Sequence, residues 1–185
     1  ISSNVYYNAA AYQATTSEHE DTPALMVLAL FLRNGYLHGA IREKGGAYGS
    51  GASFDSNAAA FRFYSYRDPH CAKTFAHFDK SIDWLLQTKH DTEQLHEAIL
   101  GIIAGMDKPG SPAGEAVKSC FNELHHRDKA WQQKLRAKIL AVSIDDLKYV
   151  AQKYLKNKPS HQAVLAPIEQ ESALIDMGFQ IKKLS

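Results

Sequence analysis

Arg42 and Tyr48 stand six residues apart, separated by Gly45-Gly46, in the stretch IREKGGAYGSG from Ile41 to Gly51. One offers a planar guanidinium fork and the other a phenol hydroxyl. Both donate well to a carbonyl oxygen. A cation such as Arg42 is favoured in the last turn of a helix, beside the exposed carbonyls. Two glycines let the backbone reverse sharply after it, so the turn can point both side chains at one spot. Three chemistries fit these residue types. Arg42 can pair with a nearby carboxylate while Tyr48 only packs. The glycines can cradle a phosphate; phosphate loops, however, run strand, glycine loop, helix. Here the order is helix, glycines, strand, and no Gly-Lys-Ser/Thr follows. Or the pair can clamp the backbone of a bound substrate.

The remaining candidates are weaker. None of the nine histidines opens an H-x-x-E-H motif. His70 and His77 lie seven apart, ~10 Å along a helix, too far to share a zinc with bonds of ~2 Å. His90, Glu93 and His96 are spaced by three, but His90 precedes the helix cap expected at Asp91 or Thr92. His125-His126 reads as a helix-end pair. Cys71, in a Phe-rich helix, reads as core. No Ser-His-Asp or Cys-His arrangement follows from linear order. The expectation is no catalytic residue and no metal ligand in this chain.

The elements that would position Arg42 and Tyr48 are legible around them. Val5 to Thr16 reads as a Tyr-rich strand, turned by the polar stretch Ser17 to Asp21. Thr22-Pro23 reads as a cap hydroxyl with Pro at the first helical position. The helix that follows puts Leu25, Leu28, Leu32 and Tyr36 on one face, with Ile41 near its edge, and Gly45-Gly46 ends it. Ala47 to Phe54 and Ala58 to Arg67 read as a hairpin around Asp55-Ser56-Asn57. Phe61, Phe63 and Ser65 alternate there with Arg62, Tyr64 and Tyr66. Phe61 and Phe63 are expected in the core; the other face can line a chamber or pack on a neighbour.

Asp68-Pro69 reads as opening a helix with Phe75, Phe78, Ile82 and Leu85 on one stripe. A third helix is expected over Thr92 to Met106, burying Leu95, Ile99, Ile102 and Met106. Ser111-Pro112 starts another, helical segments continue to about Leu155, and Ser143 with Asp146 forms an S-x-x-D cap. Gln162 to Ala166 reads as a late strand, and Phe179 to Leu184 as a further candidate. Strand, helix, hairpin, helices, strand argues for an α+β two-layer sandwich: a mostly antiparallel sheet with helices on one face.

The whole chain, residues 1–185, reads as one domain. Its 45% hydrophobic content is ordinary for a globular protein. With 21 basic and 20 acidic residues, net charge is +1, which points to neither nucleic acid nor membrane surface as partner. The longest apolar run, Ala24 to Leu32, is short of the ~20 residues of a membrane span. Cys71 and Cys120 form no C-x-x-C motif, and free thiols fit a reducing compartment. The start at Ile1, without an initiator Met, suggests a piece of a longer protein.

IREKGGAYGSG followed by FRFYSYRDP resembles the C-terminal half of the pitrilysin-type (M16) metallopeptidases, most of all the presequence-protease branch. The segments that carry the resemblance are Leu37 to Gly51 and Phe61 to Pro69, and the element order agrees along roughly the whole chain. The resemblance implies a two-halved zinc endopeptidase closing on short unstructured peptides. In such an enzyme the first half holds zinc on H-x-x-E-H, and the last half supplies an Arg and a Tyr that hold the substrate backbone. Arg42 and Tyr48 match those two positions, with Gly45 and Gly46 setting their geometry. It further implies that this chain, lacking the zinc motif, is inactive alone. Its partners would be a peptide and the zinc-binding N-terminal half of the same polypeptide. The location would be the cytoplasm of a bacterium or an organelle matrix of a eukaryote. The rival expectations are a non-catalytic structural M16-like subunit and a stand-alone peptide-binding module.

Overall fold

A computed structural model describes residues 4–125 and 127–183. Four antiparallel strands form one open sheet in the order β2-β3-β1-β4. They are β1 (Tyr6–Gln13), β2 (Gly49–Asp55), β3 (Ala60–Asp68) and β4 (Ser160–Leu165). The helices cover one face, so the architecture is the α+β sandwich that the alternation in β3 predicts. On the covered face Ala10 pairs with Phe63 and Tyr12 with Phe61, and all four are buried. Phe63 stacks on Phe78 of α2 (Ala72–Gln87), with centroids 5.3 Å apart.

α1 (Thr22–Leu32) is the core helix and buries nine of its residues, Leu25, Leu28 and Leu32 among them. Its cap differs from expectation. Asp21, not Thr22, is the N-cap, because the Thr22 hydroxyl donates to Thr16 O (2.7 Å) instead. The Asp21 carboxylate accepts from Lys153 Nζ and the Tyr154 hydroxyl, each at 2.7 Å. That ties the start of α1 to α6 (Ile144–Tyr154).

From Arg33 to Glu43 the helix continues as a π-helix. Its i→i−5 bonding widens each turn. Leu37, five residues after Leu32, therefore takes the buried place expected of Tyr36, which is only half-buried. By length and composition Thr22–Glu43 could cross a membrane; here its apolar part, α1, is packed inside the fold.

Other boundaries shift for local reasons. β1 stops at Gln13 rather than Thr16. α2 begins at Ala72, not at Asp68-Pro69. Asp68 instead ends β3, fully buried, and its carboxylate accepts from His70 N (2.9 Å) and Thr74 Oγ1 (2.7 Å). α3 (Thr92–Asp107) buries Leu95, Ala98, Ile99 and Ile103; Ile102 and Met106 are only partly covered. α4 (Pro112–Leu124) and α5 (Lys129–Leu140) follow. Ser143 and Asp146 form a complete capping box on α6. The late strand expected at Phe179 to Leu184 does not form over residues 179–183, and Leu184 lies outside the described residues. A short helix, α7 (Glu171–Asp176), precedes it, and Phe179 packs on Phe75 at 6.0 Å.

Candidate functional site

The π-helix ends in a hydrogen-bond pair one residue wider than the usual glycine cap. Gly46 N donates to Arg42 O (3.0 Å) and Ala47 N to Ile41 O (3.1 Å). An α-helical cap of this kind spans three and five residues; here the spans are four and six, as an i→i−5 helix requires. Gly46 takes φ +80°, the left-handed conformation that reverses the chain. Gly45 is needed for a different reason, since a Cβ there would overlap the Ile41 carbonyl oxygen. Leu37, Ile41 and Ala47 are buried beneath the turn, and the Ser50 hydroxyl donates to Leu37 O at 3.2 Å. The reversal is thus held from both sides.

Arg42 leaves the last helical turn into solvent. Its Nη1 lies 3.3 Å from His38 Nε2, and His38 Nδ1 lies 3.3 Å from Glu43 Oε1. A neutral imidazole carrying its proton on Nδ1 satisfies both contacts, donating to Glu43 and accepting from Arg42. The π spacing makes this possible, because it brings residues five apart onto neighbouring turns. Among the described residues no carboxylate pairs directly with Arg42; Glu43 reaches it only through His38.

Tyr48 stands on the other flank of the turn, 62% exposed. Its backbone N donates to Arg67 O (3.2 Å). Its ring rests against Tyr66 (5.7 Å between centroids) and lies 5.4 Å from the Arg67 guanidinium. Arg67 holds φ +47°, a costly conformation for a side-chain-bearing residue. The cross-strand pairs Gly49–Tyr66 and Gly51–Tyr64 explain the sheet beneath. A Cβ at Gly49 would overlap the Tyr66 ring, and one at Gly51 would sit 2.8 Å from the Tyr64 hydroxyl. The glycines of β2 therefore let two tyrosines lie flat on the sheet's outer face. Arg62, the third residue of that face, pairs with Asp55 at 2.7 Å.

Tyr66 belongs to the face expected to line a chamber or pack on a neighbour; His38 and Arg67 are the neighbours of the pair that sequence reading did not single out. His38 was within reach, four residues before Arg42 on one helix. Nothing in the sequence marks the left-handed backbone of Arg67.

Two of the candidate histidines are held by other contacts within the fold. His77 faces the Tyr36 hydroxyl (3.3 Å), and its pKa is lowered by burial and then by Lys80 and Lys73. His90 is held 2.9 Å from Leu85 O and packs edge-on against Trp84 and Phe31. Among the described residues no group of three metal-ligating side chains converges. Of the His125-His126 pair, His126 lies outside the described residues; His125 follows α4 and stacks on Phe121. Cys71 is buried, and burial, followed by the charge of Asp68, pushes its thiol up to about 11, which removes it as a nucleophile at neutral pH.

An open antiparallel sheet with helices on one face is the fold of the M16 peptidase domains. The structure superposes on the peptidase M16 inactive domain from Pseudomonas fluorescens with a TM-score of 0.72 and 14% identity, covering 90% of this chain and 42% of that one. A protease from Helicobacter pylori gives 0.74 and 18%, covering 90% and 42%. These likenesses establish the fold. A family profile described as the PreP C-terminal domain matches residues 3–167, and the chain belongs to that family. The mitochondrial presequence protease of Saccharomyces cerevisiae is 37% identical over 181 residues, which is 97% of this chain. The chain spans only 18% of that protein's length.

Proposed function

We propose that this chain is the single, non-zinc C-terminal domain of a longer zinc endopeptidase, and that Arg42 and Tyr48 hold the backbone of a short unstructured peptide near the bond to be cut. The observation that carries this reading is the pair of exposed donors on the two flanks of one rigid turn. His38 and Glu43 pre-orient Arg42, while Tyr66 and Arg67 brace the ring of Tyr48 and leave it open to solvent. Rigid donors lose little freedom when a substrate binds, so they position it efficiently. Zinc would be held elsewhere in the longer polypeptide, and this chain alone would cleave nothing. The family relationship supports the peptidase setting. In a eukaryote the location would be an organelle matrix; the yeast relative is named as mitochondrial.

The test is steady-state kinetics on the full-length polypeptide, with zinc content measured on the same samples. Arg42→Ala and Tyr48→Phe are each expected to lower turnover by ~10²–10³, the usual effect of losing one well-aimed donor, with zinc retained. Arg42→Lys is expected to fail as well, because an ammonium cannot reproduce the planar fork. Unchanged turnover in both Arg42→Ala and Tyr48→Phe would make the pair structural and overturn the reading.

A further inference from the structure

Helix α4 carries a clean apolar stripe that its own domain does not use. Ala113, Ala116, Val117, Cys120, Phe121 and Leu124 recur at three- and four-residue intervals and share one side of the helix. Glu115, Lys118, Ser119, Asn122 and Glu123 make the other side. An amphipathic helix ordinarily turns its apolar side to its own core. Here the arrangement is reversed. Ser119, Asn122 and Glu123 border a cleft against Arg127, Asp128 and Gln132 at the start of α5, while Val117, Phe121 and Leu124 are 56%, 56% and 69% exposed. No residue of α4 is buried. Thirteen residues are too few for a helix to be stable in water without a packed face, so the stripe calls for a partner.

We infer that the stripe of α4 docks into an apolar groove formed by another part of the same longer polypeptide. Two observations select this occupant. The chain accounts for 18% of the length of its yeast relative, so most of such a polypeptide lies outside the structure. The stripe is also small. A 13-residue helix is about 20 Å long, and one side of it offers far less than the ~800 Å² per partner of a stable association between separate molecules. Within one polypeptide the tether supplies a high effective concentration, and a stripe of this size suffices. The inference rests on the proposed reading that this chain is a domain of a longer polypeptide, but not on the roles proposed for Arg42 and Tyr48, so the labelling and the kinetic tests can fail separately.

Cys120 lies within the stripe as an exposed free thiol and serves as the reporter. The experiment is maleimide labelling of the full-length polypeptide, native and denatured, with modification at Cys120 read by peptide mass mapping. Docking is expected to slow native labelling of Cys120 by roughly tenfold or more relative to the denatured chain, independently of protein concentration. Phe121→Asp is expected to restore labelling. It should leave this domain folded by circular dichroism, since α4 contributes nothing to its core. Lys118→Asp, on the polar side, is expected to leave the protection unchanged. Cys120 labelled as fast in the native as in the denatured polypeptide would overturn the inference. So would protection that disappears on dilution, which identifies a second copy as the occupant. Protection that survives Phe121→Asp would also overturn it.

Discussion

Around Gly45 the backbone is fixed by contacts beneath and beside it, whereas α4 is well capped and its apolar side is uncovered among the described residues. Both regions carry strong local signals. α4 has Ser111 accepting from Gly114 N and Pro in the first turn; the turn has two adjacent glycines. The difference lies in what surrounds them. The turn sits on Leu37, Ile41 and Ala47, is closed by two carbonyl-capping bonds, and is stitched to β2 through Ser50. α4 keeps its apolar side in solvent. Local chemistry decides that an element exists; the surrounding packing decides what it is for. A buried, over-determined backbone can aim exposed donors, and an uncovered apolar stripe points to a surface beyond the domain.

The sharpest way to break this comparison is at the two glycines, which are indispensable for different reasons. Gly45→Val forces a branched side chain onto the Ile41 carbonyl. That oxygen belongs to backbone and cannot swing away, so a loss of about 4 kcal/mol or more is expected. Gly46 has room for a Cβ, whose nearest neighbour would be Pro69 Cγ at 3.7 Å. Only its φ of +80° resists substitution. Gly46→Ala should therefore cost ~1–2 kcal/mol, and Gly46→Asn less, because Asn tolerates the left-handed region. Urea unfolding of the three variants measures this. Equal costs at the two positions would mean that the turn is not held as described.

Much of the fold was legible because periodicity and punctuation agree in it. The alternation of Phe61 and Phe63 with Arg62 and Tyr64 placed β3's two faces correctly, and the stripe Phe75, Phe78, Ile82 and Leu85 is buried as spaced. The misses have physical causes. The π-helix obeys no 3.6-residue period, so reading its face as α-helical chose Tyr36 where Leu37 is buried. Asp68-Pro69 carries helix-start residues, but the Asp68 carboxylate serves the turn before α2 from inside β3. Thr22 gives its hydroxyl to a carbonyl six residues back, a contact no local pattern reveals. The positions of Arg42 and Tyr48 were readable from the glycine turn. His38 was readable from its four-residue spacing to Arg42; its reach to Glu43 through the widened helix was not, nor was Arg67, which comes from β3.

The same helix is pinned at its other end by Asp21, and acid should loosen that pin selectively. Burial alone would push the Asp21 carboxyl upward. Hydrogen bonds from Lys153 and Tyr154, with the charges of Lys153 and His19, outweigh this and hold it below the usual carboxylate value. A group depressed on folding adds stability that is fully present above its unfolded pKa, ~3.9, and is lost as pH falls through the folded value. Asp21→Asn is expected to cost about 1–2 kcal/mol at neutral pH. Its gap from the parent should shrink below about pH 4. Unfolding curves at pH 7 and pH 3 compare the two, and a gap that stays constant would show that the charge of the Asp21 carboxylate is not what stabilises the contact with Lys153 and Tyr154.

The smallest expected effect is the most discriminating for α4. In this domain by itself Val117 is 56% exposed on a helix that buries none of its residues. Val117→Ala removes no core contact there and replaces a β-branched residue with the best helix former, a gain of a few tenths of a kcal/mol. The domain should therefore be unchanged or slightly more stable, within ~0.5 kcal/mol. In the full-length polypeptide the same substitution trims two methyl groups from a covered stripe, and the sign should reverse to a loss of ~1 kcal/mol or more. Paired unfolding measurements on the domain and on the full-length protein read the two signs directly. A loss in the isolated domain would mean that α4 is packed within it, and the contrast with the glycine turn would fail.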